Sequence, residues 1–417
     1  MTDSAHTNTP ASPTTNNTLK TTSRPVSSSI THLIHPEKQV PQKFGSVQPA
    51  VYRASTVFFE STQAMRNRSW QDDYDYSYGL HGTPTTYALA DRIAALEGGE
   101  YCILAPSGLS AISLVNFTFL QQGDEVWLPD NIYGPNKDLI RQLKTQFGID
   151  YFLYDPLDAS SFTPSSRAKL IWLEAAGSVT LEFPDLVSLV KKAQAANVLT
   201  VLDNTWGAGL AFCPFDFSEE HLSVDISVHA LTKYPSGGAD VLMGSIVTRQ
   251  RNLHLAMLRT HALQGIGVGG DDAERIIRSL PSIQLRYAQQ DNTTRQLANW
   301  LGQQDCFAQV LHPALPDAKG HAFWQQVCGE SNRAAGLMSV LFKPEFSLQQ
   351  VDAFCDALQL FKLGYSWGGP VSLVMPYQLE HMRQLGHHYE GVLVRFCIGL
   401  EAIDDLMADL QQALQNI

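Results

Sequence analysis

Between residues 100 and 205 short apolar runs alternate with helix-length amphipathic stretches, and this alternation constrains the fold more than any other feature of the chain. Residues 102–106, 125–128, 151–154, 169–173 and 198–202 read as strands, while 107–120, 137–147 and 185–196 read as helices. Strands joined by helices of ten or more residues run parallel and bury both faces. The implied class is α/β, with a large, mostly parallel sheet covered on both sides. A preceding helix over 87–96 ends at Gly98-Gly99, a stop signal. Beyond about residue 270 the pattern changes to one long amphipathic helix over 273–300, then mixed α and β segments. Three parts are expected: a flexible tail and N-terminal arm over 1–75, a large domain over 76–270, and a smaller C-terminal α+β domain over 271–417.

Other classes are disfavoured by the rest of the sequence. A net charge of −12 argues against a phosphate-backbone or anionic-membrane partner. Aromatic residues sit among apolar ones and not among Lys or Arg, so no nucleic-acid surface is expected. No stretch reaches the ~18 uninterrupted apolar residues of a bilayer span. The first 45 residues, rich in Ser, Thr, Asn and Pro, read as a flexible extension and not a secretory signal. Six scattered cysteines without a C-x-x-C pair fit reduced thiols, and hence a cytoplasmic protein. Gly265-Ile266-Gly267-Val268-Gly269-Gly270 follows a helix-like stretch and reads as a flexible connector, not a dinucleotide loop. His387-His388 lacks a carboxylate or Cys at ligand spacing, so no metal site is expected there.

In parallel sheets ligands sit at the carboxyl ends of the strands. There the sequence offers Ser107-Gly108, residues 130–133, residues 174–178 and Asp203-Asn204-Thr205. Lys233, after a strand-like stretch and Thr232, enters a small-residue loop where its amine can face a cleft and form a Schiff base. Asp203 ends an apolar strand, where a carboxylate needs a cationic partner such as a pyridinium nitrogen. Ser107-Gly108-Leu109 opens a helix whose free N–H groups suit an anion. Lysine, acid and phosphate cup are what pyridoxal phosphate asks of a fold. On residue type alone Lys233 reads as a solvated surface lysine, a reading its surroundings reverse; taken singly, Asp203 reads equally as a helix cap and Ser107-Gly108 as an ordinary turn.

The chain resembles the Cys/Met-metabolism family of pyridoxal-phosphate enzymes over about residues 30–417. The matching stretches are Tyr76-Ser77-Tyr78-Gly79 with Gly82-Thr83-Pro84-Thr85, Glu97-Gly98-Gly99, Ser107-Gly108, Asp130 with Tyr133-Gly134, Leu202-Asp203-Asn204-Thr205, Thr232-Lys233-Tyr234, and residues 395–401 beginning at Arg395. The resemblance implies a fold type I transferase-like architecture and pyridoxal 5′-phosphate as cofactor. It implies Lys233 as the Schiff-base lysine, Asp203 as partner of the ring nitrogen, and Tyr133 as the stacked aromatic with a share in catalysis. Gly108, Leu109 and Thr232 would hold the phosphate, joined by Tyr78 from a neighbouring subunit of a homotetramer built from dimers. Arg395 would grip the substrate α-carboxylate; an ion pair of Arg395 with Glu401 or Asp404 is the alternative.

Within the family, Tyr365-Ser366-Trp367-Gly368-Gly369 looks like the β-lyase branch, as does Ser178, and Tyr133 is not followed by the Cys of methionine γ-lyases. The resemblance therefore implies β-elimination from cystathionine or another cysteine S-conjugate, a step of methionine biosynthesis, with Tyr365, Ser366 and Trp367 at the substrate. The γ-synthase or γ-lyase reaction, and a non-catalytic protein of the same fold, are the competing readings. Three positions depart from the pattern: Leu80 where the family commonly has a phosphate-binding Arg, Ala230 where the γ-enzymes often have Ser, and Val371 in place of a frequent Glu.

Overall fold

In a computed structural model the described residues are 29–34, 47–69, 76–380, 382–385 and 389–417. The expected tail over 1–28, parts of the arm, and His387-His388 lie outside them. Seven strands form the large sheet: β1 (Tyr101–Ala105), β2 (Glu125–Pro129), β3 (Asp150–Tyr154), β4 (Ala168–Glu174), β5 (Leu199–Asp203), β6 (Ile226–His229) and β7 (Gly244–Thr248). Their order is β1-β7-β6-β5-β4-β2-β3. All run parallel except β7, which is antiparallel to both β1 and β6.

Alternate side chains divide between the two faces, as the period of a strand requires. Val126, Leu170, Trp172, Val201 and Ile246 face one core, which also takes Ile112 and Val115 of the helix Gly108–Phe119. Ile171, Leu173, Leu202 and Val247 face the other, against Leu89, Ile93 and Leu96 of the helix Pro84–Glu97. That helix begins with a Thr83 capping box and Pro84 in its first turn, and ends on Gly98 in the left-handed conformation, φ 76°. The helices Gly134–Phe147 and Leu186–Ala195 complete the cover.

The expected single helix over 273–300 is in fact two helices, Gly270–Ser279 and Ile283–Leu301, joined by a 3₁₀ turn at Leu280–Ser282. Pro281 is the cause, because it has no N–H to give and its ring crowds the preceding turn. Gly270–Ser279 packs on the helix Pro84–Glu97 of the large sheet. The glycines over 265–270 thus join two packed helices: Gly265 is the left-handed cap of Arg251–Gln264 and Gly269 caps the next. A second sheet holds β8 (Phe307–Leu311), β9 (Leu337–Phe342), β10 (Lys362–Leu363), β11 (Leu373–Tyr377) and β12 (Leu393–Cys397) in the order β10-β11-β12-β9-β8. Its own core, with Phe342, Phe354 and Phe396, is capped by the helices Leu348–Ala357 and Ile403–Ala413. No helix among the described residues is long and apolar enough to cross a membrane.

Candidate active site

The carboxyl ends of β1, β2, β4, β5 and β6 converge on a cavity of about 210 Å³, closed from the other side by Trp367 and Arg395 of the second sheet's domain. At its floor Asp203 ends β5, next to Glu174 at the end of β4. Asp203 Oδ1 accepts the N–H of Thr205 at 3.0 Å. Burial raises the Asp203 carboxyl, and the Thr205 hydrogen bonds and the charge of His229 oppose the rise. Glu174 Oε2 accepts the N–H of Tyr133 at 2.7 Å, and burial, then Asp203, push its carboxyl well above the usual range. Two adjacent carboxyl groups thus face the cavity without an ion pair among the described residues, which is the electrostatic demand that a bound positive ring would meet.

One wall is the start of the helix Gly108–Phe119. Ser107 Oγ takes the N–H of Ser110 and Ser107 O that of Ala111. No hydrogen bond among the described residues engages the N–H of Gly108 or Leu109, so both remain for an anion. Gly108 lies so near the turn after β6 that a Cβ there would be 2.7 Å from Ala230 Cβ. The Ala230 N–H is held by Thr205 Oγ1 at 3.0 Å, and Thr232 Oγ1 bonds the backbone of Met243 in both directions, at 3.1 and 3.2 Å.

Opposite stands Lys233. Its Nζ donates to Ser366 Oγ at 2.7 Å and lies 5.2 Å from the centre of the Trp367 ring. Burial, then the charge of Arg395, hold the Lys233 amine down to about 8. Arg395, 9% exposed on β12, makes a long contact, Nη2 to Ser366 O at 3.4 Å, and interacts with the Tyr377 side chain, whose ring centre lies 5.4 Å from its guanidinium. The alternative ion pair is not formed: Glu401 accepts instead from Ser372, through its N–H and its hydroxyl.

Residues 30–415 match the family of Cys/Met metabolism PLP-dependent enzymes. The chain belongs to this family. Curated relatives include a cystathionine beta-lyase of Bordetella avium, 36% identical over 87% of this chain and 91% of its own, and cystathionine beta-lyase MetC of Escherichia coli K12, 32% identical over 93% and 98%. Among solved structures, a cystathionine gamma synthase of Xanthomonas oryzae pv. oryzae superposes with a TM-score of 0.81 at 26% identity, covering 94% of this chain and 98% of that one. The protein is therefore a pyridoxal-phosphate-dependent enzyme acting on a small amino-acid substrate, with the fold of its family.

The cavity fits the cofactor: a carboxyl group without an ion pair among the described residues, a neutralisable lysine and two spare N–H groups share it. Ser107, Gly108, Leu109, Tyr133, Asp203 and Thr232 line it together with Lys233, and so does Ser178. Tyr365 does not: it is 78% exposed and outside the lining. Nor does Tyr78, which is half exposed and pairs with Thr56. Leu80 turns inward, lining a small cleft near His81 and His261 and packing against Gly267. At Ala230 the adjacent hydroxyl comes from Thr205; nothing in the structure explains Val371. Sequence reasoning assigned no role to Glu174, Trp206 or Tyr377. Glu174 was detectable as a carboxylate ending an apolar strand, whereas Tyr377 reaches Arg395 only through the β11–β12 pairing.

Proposed function

We propose that this enzyme catalyses β-elimination of L-cystathionine to homocysteine, pyruvate and ammonia in methionine biosynthesis. The observation that carries the reading is the hold of Ser366 and Trp367 on Lys233 Nζ, because the same short loop bears the β-lyase-like sequence. The relatives named cystathionine beta-lyase support it. Pyridoxal phosphate, bound between Asp203, Tyr133 and the Gly108-Leu109 N–H groups, supplies an electron sink for the pair released at Cα. Arg395 binds the substrate α-carboxylate as a two-pronged donor, which fixes the direction of the Cα–H bond. Lys233 Nζ, its pKa held down to about 8, takes the Cα proton in its neutral form. The same amine then gives a proton to the departing sulfur as the Cβ–S bond breaks. Water hydrolyses the remaining three-carbon fragment to pyruvate and ammonia. Asp203 would hold the cofactor through its ring nitrogen, and Tyr133 would pack against it.

The site residues are shared between subunits in this reading. Tyr78, which does not line its own cavity, completes that of a neighbour in a cytoplasmic homotetramer built from dimers; Thr232 and Leu109 serve the phosphate. Tyr365, exposed beside Ser366, meets the distal end of the substrate. Gel filtration with light scattering tests the assembly. The likeness to the gamma synthase favours one second reading, γ-chemistry. Incubation of the holoenzyme with cystathionine separates them: pyruvate with homocysteine supports β-elimination, and 2-oxobutanoate with cysteine overturns it.

A further inference from the structure

The amine of Lys233 and its acceptor on Ser366 come from distant parts of the chain, and one helix touches both neighbourhoods. Ser366 has φ 93°, a backbone conformation that a residue with a Cβ keeps only where its surroundings enforce it. Two residues on, Gly368 lies against the peptide that joins Lys233 to Tyr234: a Cβ there would be 3.0 Å from Tyr234 N and 3.2 Å from Lys233 C. The loop over 365–369 is therefore seated on the turn that carries the lysine. Whatever fixes that seat decides whether Ser366 Oγ reaches Nζ at 2.7 Å.

The helix Ile283–Leu301 supplies the fixing. Gln290 is 1% exposed, and its Nε2 donates to Gly369 O at 2.7 Å while its Oε1 is buried without a hydrogen bond. A buried amide is costly unless bonded, and the bond to Gly369 is the one this side chain makes among the described residues. Four residues earlier, and hence on the same helix face, Arg286 donates from Nη1 to Tyr234 O at 2.8 Å. Arg286 is itself anchored, by Ser279 Oγ at 2.8 Å and Ser282 Oγ at 3.1 Å. Beside it the Tyr287 ring centre lies 4.6 Å from that of Tyr234, and the Tyr287 hydroxyl donates to Trp206 O at 3.0 Å. From the second sheet, Cys397 Sγ accepts the Gly368 N–H at 3.2 Å. One helix thus holds the carbonyl next to Lys233 and the carbonyl three residues after Ser366.

We propose that Gln290 is a positioning residue: by fixing Gly369 from the same helix face that fixes Tyr234 through Arg286, it sets the approach of Ser366 Oγ to Lys233 Nζ. This rests on the reading of Lys233 given above. Gln290→Met keeps the length of the side chain and removes the donor. In the holoenzyme it lowers kcat for cystathionine about fivefold with little change in KM. It also moves the acidic limb of the rate profile to lower pH, because an amine that loses its acceptor gives up its proton more readily. The variant apoprotein captures pyridoxal phosphate about fivefold more slowly, as followed by absorbance. Gln290→Asn, whose amide is one methylene short of Gly369 O, has the same effects and serves where Gln290→Met does not fold. Combination with Ser366→Ala tests the route: the double variant equals Ser366→Ala alone, since Gln290 acts through Ser366. Effects that multiply in the double variant overturn the proposal. So do a parent-like kcat, pH profile and capture rate beside a lowered Tm, which is how a merely structural residue behaves. If Ser366→Ala is impaired while both Gln290 variants are not, this inference fails alone; if Ser366→Ala matches the parent, the reading of the Lys233–Ser366 contact fails.

Discussion

Lys233 Nζ lies 2.7 Å from Ser366 Oγ, a contact between residues 133 apart in sequence that joins the turn after β6 to the loop before β11. The part of the chain built on the large sheet supplies the amine and the part built on the second sheet its acceptor, so the nitrogen is aimed by both.

Ser366→Ala removes that acceptor while leaving Trp367 in place. A hydrogen bond of this kind contributes about 1–1.5 kcal/mol, so kcat should fall roughly tenfold with KM nearly unchanged. The acceptor favours the charged amine, and its loss moves Lys233 further below about 8. The acidic limb of the rate profile then shifts to lower pH. Steady-state kinetics across pH 6–9 check both points; a KM effect alone would contradict the aiming role.

Gly108→Ala tests the cradle. In a helix Ala is ordinarily favoured over Gly by up to ~1 kcal/mol. Here its Cβ meets Ala230 Cβ at 2.7 Å, so the helix start or the Lys233 turn must shift. Affinity for pyridoxal phosphate should drop about tenfold or more, with Tm changed by only a few degrees. Adding Ala230→Gly opens the space and restores most of the affinity, as read by titrating the apoprotein with cofactor.

What the sequence reveals, and what it hides, follows from the range of the interactions. Asp203, Ser107-Gly108 and Lys233 were legible because each follows a strand or opens a helix, and a parallel sheet brings its strand ends to one side. Arg395 was legible through the stretch that carries it. By contrast β7 adds an antiparallel strand between β1 and β6, a pairing that no local pattern encodes. Pro281 announces the break in the long helix, but periodicity continues across it and masks the change of direction. Glu97 and His229 are 132 residues apart, and only the packing of a helix on β6 reveals them as a pair.

Arg395→Lys probes the carboxylate grip. The guanidinium has no carboxylate partner among the described residues and rests on Ser366 O and the Tyr377 side chain. Lysine keeps the charge and loses the fork. A charged hydrogen bond is worth about 1.5–3 kcal/mol, so KM for cystathionine should rise roughly 10- to 150-fold, with a smaller effect on kcat. Equal KM values for the two enzymes would place the substrate carboxylate elsewhere.

Glu174→Gln examines the second carboxylate of the floor. Burial, followed by the nearness of Asp203, raises its carboxyl well above the model-peptide value of 4.5. The folded apoprotein therefore holds a proton that the unfolded chain releases. Its contribution to stability is fully present at pH below about 4.5 and is lost as pH rises through the folded-state value. Glutamine is neutral at every pH and can still accept the Tyr133 N–H that Glu174 Oε2 takes at 2.7 Å. The variant apoprotein should thus melt higher than the parent at pH 8, at about 2–4 °C per kcal/mol for a chain of this order of size, with the difference shrinking toward pH 5. Calorimetry at the two pH values decides it: a difference in Tm that does not change with pH would mean that Glu174 carries the same charge in the folded and unfolded chain, contrary to its burial beside Asp203.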